Sequence, residues 1–118
     1  MSMRLAFQVC LLTCLLIAIG VTALLSRRST AQPPEPVPIE IKMDNFSFRP
    51  AKVKVPVGTE VTWINRDDIP HTVVSTDGAF KSGVLDTDDK FSQRFTKPGT
   101  YGYFCSVHPK MTGEILVQ

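Results

Sequence analysis

The reactive side chains of this sequence gather in one stretch near the C-terminus, Tyr101-Gly102-Tyr103-Phe104-Cys105-Ser106-Val107-His108-Pro109-Lys110-Met111. Cys105, His108 and Met111 place a thiol, an imidazole and a thioether within seven residues. The only other histidine, His71, lies far upstream, and Cys105 is the only cysteine outside the N-terminal apolar run that holds Cys10 and Cys14. A soft thiolate, two imidazoles and a weak thioether form the donor set of a mononuclear electron-transfer copper site. The thiolate suits Cu(I), the imidazoles suit both oxidation states, and a distant methionine adjusts the potential.

Taken singly, each residue has an ordinary explanation. A lone cysteine behaves as a small buried hydrophobe and a lone methionine fills core gaps, and a lone histidine is usually a surface or a hydrogen-bonded residue. Their joint placement is what points to a metal. Spacings of i, i+3 and i+6 on a tight loop let three donors turn toward one point, and His71 enters from a neighbouring loop. Zinc prefers Cys, His and carboxylate, so Met111 argues against it. A dinuclear copper centre needs a second cysteine in the domain. A cysteine protease has the residue types it needs in Cys and His, but nothing beside them suggests an oxyanion hole or leaves room for a substrate cleft.

Length and charge narrow the field. The 118 residues suit one small domain. From Val37 to Gln118 there are ten basic and ten acidic side chains, so the net charge of +2 comes from the N-terminal segment. A domain with no net charge and no basic stripe is a poor nucleic-acid binder. Three cysteines, two of them in an apolar run, build no disulfide framework.

The N-terminus reads as an export device. After Arg4, residues 5–25 carry no charge and are long enough to span a bilayer as a helix. Arg27-Arg28 follows, then Ser29-Thr30-Ala31, with small residues where a signal peptidase reads. Residues 1–31 are therefore a cleavable signal or a membrane anchor. The length of the apolar run favours the anchor, and Ser29-x-Ala31 favours cleavage. Arg27-Arg28 on the exported side runs against the positive-inside tendency. A lipoprotein reading through Cys14 is weakened by the bulk of Thr13, and Cys10 and Cys14 read as apolar helix residues. Either way the domain is expected to be periplasmic or extracytoplasmic, free or held at the cytoplasmic membrane. Residues 32–38, rich in proline, form a stiff extended linker, and residues 39–118 are the domain.

That domain patterns as β-structure. Ile39-Glu40-Ile41-Lys42-Met43 alternates as a half-buried strand does. Val53, Val55 and Val57 continue the period in a second strand, and Pro56-Val57-Gly58-Thr59 makes a turn. Glu60–Asn65 is a third strand and His71–Val74 a fourth. Asp77-Gly78 opens an irregular region to Asp89. Phe91 and Phe95 share a face of the next strand. Pro98-Gly99 reads as a type II turn, and residues 100–105 and 113–117 are the last strands. No segment has a sustained helical period. Short strands with turns between them make an all-β sandwich.

At the ligand stretch, and at Val61-Thr62-Trp63-Ile64-Asn65-Arg66 followed by Pro70-His71, the sequence resembles the cupredoxins, among them most closely the amicyanins. The resemblance covers roughly Ile39 to Val117. Gly99-Thr100-Tyr101-x-Tyr103-x-Cys105-x-x-His108-Pro109-x-Met111 is similar to the ligand loop of that family. The short Cys-x-x-His-x-x-Met spacing is that of amicyanins rather than of plastocyanins or azurins, whose loops are longer. The resemblance implies a Greek-key β-sandwich and one copper ion held by His71, Cys105, His108 and Met111. It also implies that Asn65 bonds near the cysteine sulfur and ties the two loops together, in the manner of outer-shell groups that orient ligands.

Two departures mark this chain. Val107 stands where amicyanins carry proline, and Lys110 where they carry a large apolar residue. Valine restores a backbone N–H, which is expected to point back at the Cys105 sulfur and raise the potential. Lys110 puts a charge beside the expected electron-transfer face, formed by Pro70, Pro109 and Lys110, and leaves the amicyanins' quinoprotein amine dehydrogenase partner open. The expected function is an exported type 1 copper protein, not an enzyme, that passes single electrons between redox protein partners. The alternative is a copper carrier or storage module, which would exchange the ion and show no reversible redox couple.

Overall fold

The alternation of the first strand, β1 (Ile39–Asp44), is a burial pattern. Ile41 and Met43 are buried while Glu40, Lys42 and Asp44 face solvent, as a strand with one covered face requires. The computed structural model describes residues 31–118. The leader expected over residues 1–31, including the apolar run 5–25, lies outside the described residues apart from Ala31. Residues 31–38 form no regular element.

Eight strands follow: β1 (Ile39–Asp44), β2 (Ser47–Arg49), β3 (Lys52–Val55), β4 (Glu60–Asn65), β5 (Val74–Ser75), β6 (Lys90–Arg94), β7 (Gly99–Phe104) and β8 (Thr112–Val117). They form two four-stranded sheets, ordered β2-β1-β4-β6 and β3-β8-β7-β5. Both are mixed. β1 runs parallel to β4 with Ile41 opposite Trp63, and β3 runs parallel to β8 with Val55 opposite Val117. The remaining pairs are antiparallel. No helix long and apolar enough to cross a membrane occurs among the described residues.

Trp63 is the centre of the core. Its ring lies 5.3 Å from that of Tyr103, 5.6 Å from Phe80 and 5.7 Å from Phe91. A fully buried side chain of this kind contributes about 1.5–3 kcal/mol through surface removed from water, and Phe91, only partly buried, contributes less. Tyr103 of β7 sits directly opposite Gly113 of β8, and a Cβ at Gly113 would run into the Tyr103 ring. Glycine is thus the residue that lets the tyrosine lie across the neighbouring strand. Trp63 Nε1 and Tyr103 Oη are both buried without a hydrogen-bond partner.

The departures from expectation have local causes. Val57 is not a strand residue: it follows Pro56, is exposed, and precedes Gly58 at a φ of 92°. His71–Val73 is not a strand either. Its N–H groups are drawn to other acceptors: His71 to Leu85 O, Thr72 to the Cys105 sulfur, Val73 to Ser82 Oγ. Gly99 takes a φ of 152°, well beyond the roughly +80° of a type II turn, because it already pairs with Val117 as the first residue of β7.

β2 is new. It joins β1 through a two-residue hairpin in which Asn45 and Phe46 both have positive φ, 50° and 54°. That is the left-handed pair of a type I′ turn, whose twist matches the strands it connects.

Candidate metal centre

The site forms where β1, β4 and β7 finish and β8 begins. Cys105 directly follows β7. Its N–H donates to Met111 O at 3.0 Å, and Met111 N–H donates to His108 O at 2.8 Å. These two bonds close the loop on itself and turn its side chains toward one end of the sandwich. His71 arrives from the loop after β4 and is locked by reciprocal backbone bonds with Leu85, 3.1 and 2.8 Å.

The atoms converge. His71 Nδ1 lies 3.7 Å and His108 Nδ1 3.9 Å from Cys105 Sγ. One ligand atom from each of the three lies within 4.8 Å of the others. His71 and Cys105 are fully buried and Met111 is 4% exposed; His108 alone of the four reaches partly into solvent.

The sulfur sits in a field built to favour its anion. Burial pushes the Cys105 thiol up. Hydrogen bonds from the Thr72 N–H, from His71 and from the backbone and ring of His108 outweigh it and bring the thiol down to about 6. The Thr72 N–H lies 3.4 Å and its Oγ1 3.8 Å from Sγ. Thr72 Oγ1 also accepts the Ser106 N–H at 2.8 Å and lies 2.7 Å from Ser106 Oγ.

The tie between the two loops is therefore Thr72, in the place expected of Asn65. Asn65 is fully buried, but its side chain bonds to its own loop and to Leu85, not to the Cys105 loop. Nδ2 donates to Ile69 O and Leu85 O, and Oδ1 accepts the Asp67 N–H. Val107, too, differs from expectation. Its side chain is half exposed, and the backbone N–H groups on the sulfur belong to Thr72 and His108.

Asp67 is a residue the sequence reading missed. Its Oδ2 is 2.7 Å from His71 Nε2, and the same carboxylate accepts the N–H groups of Asn45 at 2.7 Å and Phe46 at 3.1 Å. Partial burial raises the Asp67 pKa, but the bonds from His71, Phe46 and Asn45 overcome this and lower it. An ionised Asp67 accepts the His71 Nε2–H and orients the ring so that Nδ1 faces Sγ. Carboxylates behind a ligating histidine set its tautomer and ring orientation in this way. Phe46 was missed as well. Its ring meets His108 edge to face at 5.1 Å and His71 at 6.0 Å.

The donors fit copper. Among the described residues only His71, Cys105 and His108 cluster as His, Cys or carboxylate donors, and the fourth group in the loop is a thioether. One thiolate, two imidazoles and a thioether are the set that selects copper over zinc. Outside the donors, Val107, Pro109 and Lys110 line, with Phe46, His108 and Met111, a shallow depression of about 460 Å³. Pro70 is exposed beside His71 and is not part of that lining.

The family model described as "Cupredoxin-like domain" matches residues 15–117. The chain belongs to the cupredoxin family. This cupredoxin is 32% identical to an amicyanin of Paracoccus denitrificans, over 92% of its own length and 93% of the relative's. In structure it is similar to a purple cupredoxin from Nitrosopumilus maritimus, with a TM-score of 0.64 and 34% identity, covering 68% of this chain and 99% of that one. It also resembles a copper-containing nitrite reductase from Thermus scotoductus, with a TM-score of 0.66 and 35% identity. That match covers 75% of this chain but 24% of the reductase, so the likeness is to a cupredoxin domain within a larger protein. The cofactor of the cupredoxin is copper, and His71, Cys105, His108 and Met111 are positioned as a type 1 site.

Proposed function

We propose that this cupredoxin is an exported carrier of single electrons, with copper held by His71, Cys105, His108 and Met111. The observation that carries the reading is the convergence of one buried, anion-favouring sulfur with two imidazole nitrogens inside 4.8 Å. When bound, copper supplies a one-electron couple between Cu(II) and Cu(I).

The rest is the work of the chain. Thr72 and His108 hydrogen-bond the Cys105 sulfur and so limit its electron donation, a recognised control on the potential of such sites. Asp67 holds His71 in one tautomer. Met111 offers the weak fourth donor. The two sheets fix the loops, so the donors need little rearrangement as the charge changes. His108 is the exit, because it alone among the four donors meets solvent. Electrons pass there to redox protein partners docked on the apolar depression around it, with Pro70, Pro109 and Lys110 at that face. No bond in a substrate is made or broken. Residues 1–31 serve as export signal or membrane anchor and 32–38 as linker, which puts the domain of residues 39–118 outside the cytoplasm.

The test is a visible spectrum and a voltammogram of the full chain loaded with copper. One copper per chain, an intense thiolate-to-copper band and a reversible one-electron couple are expected, and Cys105→Ser abolishes the band. Copper that exchanges freely without a reversible couple would make the protein a metal carrier. A Cys105→Ser variant that keeps the colour refutes the ligand assignment.

A further inference from the structure

Phe46 is held in a conformation it does not favour. It occupies the second position of the β1–β2 turn at a φ of 54°, a position that prefers glycine. A bulky residue there is a backbone outlier. Strain of this kind persists only where its surroundings over-determine it, and it gathers at functional sites. The surroundings here are a single carboxylate. Asp67 accepts both turn N–H groups, from Asn45 and Phe46, while also taking the bond from His71 Nε2. Ser47 Oγ–H donates to Asn45 O and adds a further tie.

The turn does not bury its phenylalanine. Phe46 is 53% exposed, so core packing does not account for the residue. Its ring instead stands nearly perpendicular to both imidazoles, at 86° to His108 and 87° to His71. His71 has other restraints: full burial, the Leu85 bridge and Asp67. The side chain of His108 has few. Its ring hydrogen bond among the described residues runs to the Cys105 sulfur, the buried His71 ring meets it at 5.1 Å, and the Phe46 ring meets it at 5.1 Å from the β1–β2 turn.

We propose that Phe46 is a positioning residue for the metal centre. Its strained turn, pinned by the carboxylate that also holds His71, sets the phenyl ring as a backstop that restrains His108. The inference rests on His108 being a ligand, but the contact itself lies between two side chains of the chain. Stability is given up in the turn to fix the one donor that solvent would otherwise leave free to rotate.

The experiment compares Phe46→Gly, Phe46→Tyr and wild type in the metal-free full chain. Asn-Gly is the favoured pair for this turn, so the glycine variant should melt at a temperature equal to or a few degrees above wild type. NMR relaxation of the His108 ring should nevertheless show it more mobile, and tyrosine should restore its order. With copper(I) bound, a chelator should strip the metal from the glycine variant several-fold faster than from wild type or the tyrosine variant. His108 dynamics unchanged by glycine overturn the proposal. So does a glycine variant that melts well below wild type, because Phe46 would then be a structural residue. Failure of wild type to give the thiolate-to-copper band would sink the ligand assignment and leave the metal-free comparison to decide the role of Phe46.

Discussion

Tyr103→Phe should make the protein more stable, although it removes a polar group from the centre of the core. Tyr103 is 1% exposed, and its hydroxyl has no hydrogen-bond partner. A buried polar group left unpaired costs about 1–3 kcal/mol. The substitution keeps the ring over Gly113 and against Trp63, so no packing is lost beyond one oxygen. A gain of about 1 kcal/mol at pH 7 is expected, or roughly 4–8 °C in melting temperature for a domain of this size. The hydroxyl also carries a pH signature. Burial pushes the phenol up from 10.0 to about 12, against an opposing pull from the nearby Trp63 indole N–H, which does not reach hydrogen-bond geometry with it. Between those values the unfolded chain has lost the proton and the folded chain keeps it. Stability contributed by the group is complete below pH 10 and falls as pH rises toward 12. Two pKa units amount to roughly 3 kcal/mol. Urea unfolding of the metal-free full chain at pH 7 and at steps above pH 10 measures both effects. The phenylalanine variant should start higher and lose less with alkali. A variant less stable than wild type at pH 7 would mean that the hydroxyl is satisfied, and an undiminished alkaline loss would mean that the loss does not come from Tyr103; either refutes the argument.

Gly113→Ala should destabilise by about 1–3 kcal/mol, the usual penalty of overpacking, because the added methyl meets the Tyr103 ring; thermal unfolding reads it, and a neutral result would show that the ring can move aside. Asp67→Asn should weaken copper binding about 10–100-fold, measured by competition with a chelator, since an amide cannot both fix His71 and hold the Asn45-Phe46 turn. Val107→Pro should leave the reduction potential within a few millivolts of wild type in a site whose spectrum is intact, because the N–H groups on the sulfur come from Thr72 and His108; a clear fall would return that role to Val107.

What could be read in advance was whatever depends on residue type and period. The alternation of β1, the strand Glu60–Asn65 and the spacing of Cys105, His108 and Met111 each carry their own signal. So did the family likeness at the ligand loop. What stayed hidden depends on contacts between distant segments. Asp67 sits four residues before His71 in a run of polar loop residues, and nothing in that run says the carboxylate turns back onto the imidazole. Phe46 hid a hairpin, because a phenylalanine where glycine is favoured does not read as a turn. Thr72 looked like a strand residue in His71–Val74, and its N–H left the ladder only because a sulfur 33 positions away competes for it. Asn65 was assigned a partner by likeness, while its geometry ties it to Ile69 and Leu85.

The place of β8 has a consequence for how the protein is made. Its residues, Thr112–Val117, form an inner strand between β3 and β7. Its pairing with β3 joins segments about sixty positions apart in parallel, and long-range pairings of that kind are slow to close. The second sheet cannot be completed from the N-terminus forward as the chain emerges. Cys105 and Met111 bond to each other in the turn that leads into β8, so the ligand loop acquires its shape only when that last strand docks. The metal centre is thus among the final features to form, and copper delivered to a nascent chain would find loose donors. A chain stopped before Thr112 would carry all four donors and lack the strand that gathers them.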